Sequence, residues 1–260
     1  MRKLLIALMI MVAAVAMLVA GCGGGDKKAD APKEKLMRVA CEPTFAPFEF
    51  QKEGSKEFDG FDMDLIRAVG KQAGYKVQIS NMGFDALIPA LQASNIDVAI
   101  SGMTITEERK KAVDFSDPYY TSGLIVLVNK DNTTIKSIAD LKGKKIGVQI
   151  GTTGEKKGRS VEGAKVTAFN ANTEAIMELK NRGVDAVIND APVVGYYLAQ
   201  GGDKVAKTVG DVMEAEQYGI AVKKGNKQLV TDINKALAEL KKNGEYDKLY
   251  KKWFGEASKK

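Results

Sequence analysis

The sequence contains no histidine, and this absence excludes several kinds of active site. Ser-His-Asp and Cys-His catalysis need a histidine base, and histidine-based zinc sites need it as a ligand. No G-x-x-x-x-G-K-[ST] phosphate loop occurs in the 260 residues. The two cysteines, Cys22 and Cys41, cannot form a C-x-x-C metal or redox pair. We therefore expect no catalytic residue, no metal and no cofactor.

The sequence also lacks a strong excess of charge of one sign. It has 39 Lys and Arg against 33 Asp and Glu, which gives a formal net charge of +6. Arg2 and Lys3 contribute two of these charges and lie in a segment that we expect to be removed. The remaining excess is small and scattered, so it does not indicate nucleic-acid binding. With 45% hydrophobic residues, the chain can form one large domain or two modest ones.

An uninterrupted apolar run over residues 4–19 follows the positive start of the chain. It is shorter than the ~20 residues that a membrane-spanning helix usually needs, which favours a signal peptide. Ala20 and Gly21 then precede Cys22, and this order resembles a bacterial lipoprotein cleavage site. The resemblance implies a signal peptide over 1–21, with Cys22 as the lipid-bearing first residue of the mature protein. The alternative is a plain anchor helix followed by a chance cysteine.

Residues 22–35 are rich in Gly, Lys and Asp and offer almost nothing to bury, so we expect a flexible tether. Such a tether would let a folded domain meet a membrane partner while it still samples the medium. Cys41 would then be the only mature thiol besides the lipid-bearing one. It lies in an apolar strand, which favours a buried and inert thiol.

From residue 36 onward, strand patterns alternate with helix patterns, which predicts an α/β fold with mostly parallel sheets. We expect strands at 38–42, 76–80, 97–102, 124–130, 145–151, 165–170, 186–190 and 218–223. We expect helices from a cap at Asp62 to Gly74, over 84–94 with Pro89 near its start, from Thr106, over 172–182, over 191–200, and as a final pair that ends near Trp253.

The alternation forms two successive blocks followed by a return strand, which predicts two lobes. We assign residues 36–122 and 220–260 to the first lobe, which the C-terminal helices complete. Residues 123–219 form the second lobe. A cleft between two α/β lobes is a natural place for a small ligand.

Arg109 points most directly to a ligand. It lies in the first turn of the helix that begins near Thr106, where the helix N-terminus disfavours an exposed cation by roughly 0.3–1 kcal/mol. An arginine fits this position if an anion docks beside the free N–H groups, and the preceding Gly102 would let that ligand approach the backbone. The alternative is a surface arginine that pairs with Glu107 or Asp114.

Further candidates lie near the ends of other strands. The loop 151–154 contains Thr153 before a helix start, which fits either a weak anion cradle or an ordinary N-cap. Asp190 ends a strand, where it can serve as a helix cap or face a ligand ammonium group. Phe45 and Phe84 follow strands and can be core residues or platforms for a ligand.

Six strings of the sequence occur in the order found in one family of binding proteins. They are EPTFAPFEF (42–50), GFDMDL (60–65), IPALQ (88–92), GMTITEERKK (102–111), DFSDPYY (114–120) and YKKWFG (250–255). Together they closely resemble the polar amino-acid-binding proteins of bacterial ABC importers, notably the glutamine-binding and the lysine/arginine/ornithine-binding proteins. The resemblance spans essentially the whole mature domain. It implies a periplasmic-binding-protein-like fold, with two α/β lobes joined by crossing strands near 122–128 and 217–221 and a ligand cleft between the lobes.

The resemblance also implies which residues hold the two α-groups of an amino acid. In that family, an arginine matching Arg109 holds the α-carboxylate. Positions matching Gly102, Thr104 and Thr153 assist it. An aspartate matching Asp190 holds the α-ammonium group, together with groups near Gly102 and Thr104.

For the ligand side chain, aromatic residues matching Phe45 and Phe84 sandwich the aliphatic part, and an acidic residue at the place of Glu42 contacts the distal end. Glutamine binders have an aspartate in place of Glu42, and a lysine and a histidine in place of Gln149 and Asn189. Loss of the lysine makes the distal pocket more acidic, which favours arginine or lysine. Ornithine and histidine stay open, and glutamine is the main alternative because Gln149 and Asn189 could pair with its amide.

The implied function is that of an extracytoplasmic solute-binding lipoprotein. Its lobes close over a free polar amino acid and deliver it to the permease and ATPase of an ABC importer. We expect a monomer held at the cell membrane, in the periplasm if the cell has two membranes. Two other classes stay open: a sensor module for a receptor, and an enzyme resembling cyclohexadienyl dehydratases, with Glu42 as its candidate general acid. The intact set of amino-acid contacts argues against an enzyme.

Overall fold

The computed structural model describes residues 35–52, 54–213 and 215–255. The predicted signal peptide over 1–21 and the lipidation site at Cys22 lie outside these residues. So does the predicted tether, apart from Lys35, which begins the first strand. None of the helices in the described residues is long and apolar enough to cross a membrane.

Fourteen strands and eight α-helices occur in the described residues. The strands are β1 (Lys35–Cys41), β2 (Thr44–Phe45), β3 (Glu49–Gln51), β4 (Phe58–Asp59), β5 (Tyr75–Asn81), β6 (Val98–Ala99), β7 (Val113–Phe115), β8 (Tyr120–Asn129), β9 (Lys145–Gln149), β10 (Lys165–Phe169), β11 (Ala186–Asp190), β12 (Ala206–Val209), β13 (Ala215–Tyr218) and β14 (Ala221–Lys223). The helices are α1 (Phe61–Ala73), α2 (Phe84–Gln92), α3 (Glu107–Ala112), α4 (Thr153–Arg159), α5 (Asn172–Lys180), α6 (Ala191–Ala199), α7 (Lys227–Lys242) and α8 (Glu245–Phe254).

The strands form two main sheets, one in each lobe, and a small third sheet of β2, β3 and β4. The first main sheet has the order β5-β1-β6-β14-β7, and the second has the order β10-β9-β11-β8-β12, with β13 also paired to β8. The two-lobed α/β prediction is confirmed. The expectation of mostly parallel sheets is wrong, because β14 in the first sheet and β8 in the second pair antiparallel with their neighbours.

The chain crosses between the sheets twice. β8 leaves the first lobe and enters the second sheet, and β13 returns beside it, with Tyr218 opposite Tyr120. The strand predicted over 218–223 is in fact two strands: β13 belongs to the second lobe and β14 to the first. They separate at Gly219, where a side chain would meet Ile105 at 2.7 Å. A larger residue at this break between the two strands would therefore require the Ile105 side chain to move.

Apolar side chains cover both main sheets. The predicted face of α7, formed by Leu229, Ile233, Leu237 and Leu240, is buried in the core of the first lobe, as expected from its 3.6-residue period. Cys41 is a buried free thiol in the same core, and burial raises its pKa. This environment agrees with an inert thiol.

Two local predictions about helix starts are wrong. Gly60 rather than Asp62 precedes α1, and Asp62 is a buried second residue whose carboxylate serves the site described below. Pro89 lies inside α2 rather than near its start. It is exposed, so water can satisfy the carbonyl of Asp85 that lacks a helical N–H partner.

Candidate ligand-binding site

A narrow cavity lies between the two lobes, with a free volume of about 10 Å³. Small-molecule pockets usually measure ~300–1,000 Å³, so the lobes would have to part to admit a ligand. Nine of the ten residues predicted for the site line it: Glu42, Phe45, Phe84, Gly102, Thr104, Arg109, Gln149, Thr153 and Asp190. Glu49, Ser101 and Thr152 line it as well.

Glu42 and Gln149 form one end of the cavity, which we call the distal end. Glu42 follows β1 of the first lobe, and Gln149 ends β9 of the second. The Gln149 side-chain amide donates to the Glu42 carboxylate at 2.9 Å, and the Thr44 hydroxyl donates to the same oxygen at 2.7 Å. Burial raises the pKa of Glu42, and these two hydrogen bonds partly oppose that rise. Glu42 is thus a buried carboxylate that bridges the lobes.

Asn189 is the one predicted site residue that does not line the cavity. It is buried in β11, and its side-chain amide donates to the Asn172 side chain at 2.6 Å. The Asn172 backbone N–H in turn donates to the Thr44 hydroxyl at 3.2 Å. Asn189 therefore supports the distal wall from behind, through Asn172 and Thr44.

Arg109 lies at the opposite end of the cavity, which we call the α end. As expected, α3 begins after Thr106, whose hydroxyl accepts from the Arg109 backbone N–H at 3.1 Å. The guanidinium donates to the Thr104 carbonyl at 2.8 Å and, across the cleft, to the Gly151 carbonyl at 2.9 Å. It also lies 5.2 Å from the centre of the Phe84 ring. Burial lowers the pKa of Arg109.

The surface-pair alternative for Arg109 is wrong. Glu107 pairs with Lys110 at 2.7 Å, and Asp114 pairs with Lys224 at 2.8 Å. A guanidinium carries five N–H donors, and the two bonds to carbonyls use two of them. The cation keeps hydrogen-bonding capacity for an anion in the cavity.

Asp190 is the buried carboxylate of the α end. It precedes α6 but forms no side-chain cap bond with that helix, so its carboxylate is free to accept from elsewhere. The Ser122 hydroxyl donates to it at 2.9 Å, and the Tyr218 hydroxyl donates to the same oxygen. Burial raises the pKa of Asp190 to about 7. A cation placed beside Asp190 would favour its charged form.

Glu216 of β13 belongs to the same end, although it was not among the predicted site residues. Its carboxylate accepts from the Thr104 hydroxyl at 3.0 Å and from the Thr153 hydroxyl at 2.9 Å. Thr104 comes from the first lobe and Thr153 begins α4 of the second. A single carboxylate oxygen therefore joins the two walls of the cleft.

Gly102 lets the Phe45 ring lie directly against the backbone. Its φ is +51°, in the left-handed region, and a side chain there would meet the ring at 2.8 Å. Any substitution at this position would strain the backbone and displace Phe45. Gly102 thus shapes the cavity through the aromatic wall, and it also lines the cavity itself.

A second pair of acidic residues lies at the cavity floor: Glu49 lines the cavity, and Asp62 lies next to Glu49. The Ser101 hydroxyl donates to Glu49 at 2.7 Å, while the Gly102 backbone N–H and the Tyr119 hydroxyl donate to Asp62 at 2.9 and 2.7 Å. One oxygen of each carboxyl is buried without a partner other than the neighbouring carboxyl. Burial raises the pKa of Asp62 to about 6 and that of Glu49 well above its usual value. The two therefore share a proton over much of the neutral range.

The charges define what the cavity can hold. They complement a small molecule that places an anionic group near Arg109 and cationic groups near Asp190 and Glu42. Over residues 35–52, 54–213 and 215–255, no group of three or more Cys, Asp or Glu side chains is arranged to hold a metal ion.

Two features of the sequence could have identified the missed residues. Glu49 is an acidic residue between two phenylalanines, and an acidic residue buried in such a string needs a partner. Glu216 lies two residues before Tyr218 on the returning strand, so both side chains project from the same face. Neither pattern predicts which residues Glu49 and Glu216 contact.

The sequence as a whole matches one protein family. A family model for "Bacterial extracellular solute-binding proteins, family 3" matches residues 37–256. The arginine-binding extracellular protein ArtP of Bacillus subtilis (strain 168) is 37% identical over 251 residues, which cover 95% of this chain and 96% of that protein.

Two solved structures of an ancestral arginine-binding protein are also similar. The structure bound to arginine has a TM-score of 0.82 at 52% sequence identity and covers 85% of this chain and 98% of the other. The structure bound to glutamine has a TM-score of 0.79 at 51% identity, with the same coverage. Similarity of this extent covers both lobes and the cleft.

Proposed function

Because this chain belongs to family 3 of the bacterial extracellular solute-binding proteins, we propose that it captures a free basic amino acid outside the cell and delivers it to an ABC importer. The observation that carries the choice of ligand is the acidic distal end. Glu42 is buried there beside the neutral Gln149. A guanidinium or ammonium group would meet a buried carboxylate that lacks a cationic neighbour among its hydrogen-bond partners.

The α-groups of the ligand would be held at the opposite end. Arg109 supplies a charged, bidentate donor for the α-carboxylate, and Asp190 supplies the acceptor for the α-ammonium group. Phe45 and Phe84 would flank the aliphatic stem, with cation–π attraction of ~0.5–2 kcal/mol if a guanidinium lies over a ring. Binding requires no covalent step. The similarity to ArtP and to the arginine-bound structure supports this assignment.

Closure of the lobes would couple binding to delivery. Contacts already cross the cleft at both ends, from Gln149 to Glu42 and from Arg109 to the Gly151 carbonyl. A ligand that touches both walls favours the closed state over the open one. A permease could then distinguish the loaded protein from the empty one by the positions of the lobes.

Glutamine is the second candidate ligand, because a similar structure is bound to it. Its side-chain amide could donate to Glu42 and accept from Gln149. A hydrogen bond that involves a charged group contributes about 1.5–3 kcal/mol, against ~0.5–1.5 for a neutral one. We therefore expect arginine and lysine to bind more tightly than glutamine, with glutamate repelled by Glu42 and leucine leaving polar groups unpaired.

A thermal-shift panel of the twenty amino acids, ornithine and citrulline, followed by competition calorimetry, tests the ligand. A ligand at a hundredfold excess over its Kd stabilises the native state by roughly 2.7 kcal/mol. Arginine or lysine should give the largest shift. If glutamine binds at least tenfold more tightly than both, the charge argument is wrong and the glutamine proposal replaces it.

Delivery would also need the protein to stay at the membrane, and Cys22 is the proposed lipid attachment site. Mass spectrometry of the mature protein should show an N-terminus at Cys22 with a diacylglyceryl thioether. Cys22→Ser should release the protein or leave an uncleaved precursor. A mature protein with an unmodified Cys22 and a different N-terminus would overturn this part of the proposal.

A further inference from the structure

The α end contains one more carboxylate than the α-groups of an amino acid require. Asp190 suffices for an ammonium group and Arg109 for a carboxylate, yet Glu216 accepts hydrogen bonds there from Thr104 and Thr153 at 3.0 and 2.9 Å. Glu216 is opposite Ser122 in the β13–β8 pairing, and Ser122 donates to Asp190. Its position is thus fixed by the crossing strands next to both α-group anchors.

Each threonine hydroxyl has one proton, and the structure directs both protons to Glu216. Toward the cavity these two oxygens can then act only as hydrogen-bond acceptors. They suit an ammonium group, and they cannot donate to a carboxylate while Glu216 holds their protons. The ligand carboxylate must therefore depend on the Arg109 guanidinium and on backbone N–H groups.

The negative charge of Glu216 also acts on its neighbours. Burial lowers the pKa of Arg109, and the charge of Glu216 partly offsets this by raising it. The same charge raises the pKa of Asp190, which burial has already raised. Three carboxyl groups, Glu42, Asp190 and Glu216, thus lie at the cleft with the guanidinium of Arg109. Lys156 and Lys157 line the outer pocket beside Glu216. A ligand with net positive charge offsets the charge of these carboxyl groups more than a neutral zwitterion does.

We propose that Glu216 is a specificity-determining positioning residue: it holds the hydroxyl protons of Thr104 and Thr153 away from the ligand carboxylate and selects for a cationic ligand by its charge. This inference rests on the proposed function. Glu216 acts through the two threonines and through its field rather than by direct contact with the ligand.

Glu216→Gln tests the inference with three ligands of related shape. The substitution keeps one acceptor oxygen in a side chain of nearly the same size, removes the charge, and replaces the other oxygen with an NH2 donor. Calorimetry would measure the Kd of arginine, of citrulline, in which a neutral urea replaces the guanidinium, and of agmatine, which is arginine without its carboxylate. The preference for arginine over citrulline should fall about three- to tenfold, since one charge of the cleft is lost.

The agmatine measurement locates the effect at the α end. Loss of the Glu216 charge removes a repulsion of the α-carboxylate of arginine and so favours arginine binding. Agmatine has no carboxylate, so its affinity does not increase for this reason. The preference for arginine over agmatine should therefore rise in Glu216→Gln. Glu42→Gln should leave this second ratio unchanged, because both ligands present the same guanidinium to the distal end.

Glu162→Gln is the matched control for net charge. Glu162 is exposed, pairs with Lys142, and lies beside the start of β9, whereas the cavity is at the end of that strand. Both ratios should stay within twofold of the wild type in this variant. If they also stay within twofold in Glu216→Gln, the inference is overturned. The relative affinity of the wild type for arginine and glutamine tests the proposed function separately. Both affinity ratios, arginine to citrulline and arginine to agmatine, can be measured even if the wild type prefers glutamine.

Discussion

The two ends of the cavity each contain a buried carboxylate, but the groups around them differ. At the α end, Asp190 accepts from hydroxyl groups of the crossing strands, and the cation Arg109 lies nearby. At the distal end, Glu42 accepts from Gln149 and Thr44 and has no cation among these partners. Under the proposed function, the α end would recognise what all amino acids share, and the distal end would discriminate among their side chains. The predictions below change one end at a time.

Arg109→Ala should have the largest effect on binding. It leaves the ligand carboxylate unpaired in a closed cleft, and by analogy with breaking a buried charge pair the loss should be about 3–5 kcal/mol. The ligand-free protein should stay folded, because an empty cleft is hydrated. Calorimetry with arginine and lysine measures the loss, which should be similar for both ligands.

Arg182→Ala is the control for this prediction. Arg182 pairs with Asp131 in the second lobe, and its side chain is 68% exposed. Its removal should leave affinity unchanged. Undiminished affinity in Arg109→Ala would place the α-carboxylate elsewhere.

The affinity for arginine should depend on pH through Asp190. In the free protein its pKa is about 7, so Asp190 holds a proton below that pH. The ligand ammonium group needs the charged form, so binding must expel that proton, and affinity should fall as pH drops through 7. The limit is about tenfold per pH unit, and the raised pKa of Glu42 adds a loss of the same sign.

Calorimetry from pH 5.5 to 8.5, in buffers of different ionisation enthalpy, measures both the affinity and the proton released. Asp190→Asn should bind more weakly and with a flatter pH profile. A wild-type affinity that is constant over this range would contradict the assignment of Asp190 to the ammonium group.

Glu42→Gln should change the ratio of the affinities for arginine and glutamine, and it should leave the contacts of the ligand α-groups intact. Replacing the carboxylate removes the charged partner of a guanidinium but leaves an acceptor for a glutamine amide. The arginine preference over glutamine should narrow by about five- to tenfold, or invert, from the difference between charged and neutral hydrogen bonds. Competition calorimetry measures the ratio, and an unchanged ratio would remove Glu42 from the ligand's surroundings.

The smallest effect should come from the exposed rim of the α end. Lys156 of α4 pairs with Glu108 of α3 across the cleft at 3.2 Å, with both side chains about three-quarters exposed. Lys156→Ala should weaken arginine binding by no more than about 1 kcal/mol, and less at high salt. Lys110→Ala breaks a pair within α3 and should have no effect on binding. A loss in Lys156→Ala as large as in Arg109→Ala would mean that closure depends on the rim.

The sequence predicts the elements of this fold well because most are amphipathic and end at clear signals. The strand β11 matches its predicted range of 186–190, and Thr106 caps α3 as expected. The failures occur where tertiary contacts override local patterns. Asp62 resembles a helix cap, but it is buried because Gly102 and Tyr119 bond to its carboxylate from distant positions.

The candidate site follows chiefly from the family resemblance. Nine of the ten predicted site residues line one cavity. Spacing alone leaves Arg109 as either a ligand contact or a surface residue. Glu216 was missed because its role depends on which strand returns beside β8, and that pairing cannot be read from local sequence. Asn189 is predicted at the ligand because it stands in the place of a histidine of the glutamine binders, whereas its side chain in fact donates to Asn172.

The acidic pair Glu49 and Asp62 sets a compromise between stability and function. Both folded-state pKa values lie above their unfolded values, so the folded protein binds more protons and its stability falls as pH rises from about 4 through 6 and beyond. The pair therefore contributes most to the stability of the ligand-free protein in mild acid, where Asp190 is protonated and accepts an ammonium group least well. A search for heat-resistant variants would replace one member of the pair, for example by Glu49→Gln, which can still donate to Asp62. Such a variant should melt at a higher temperature at neutral pH, and any loss of affinity that accompanies it would measure how far the cavity floor depends on the shared proton.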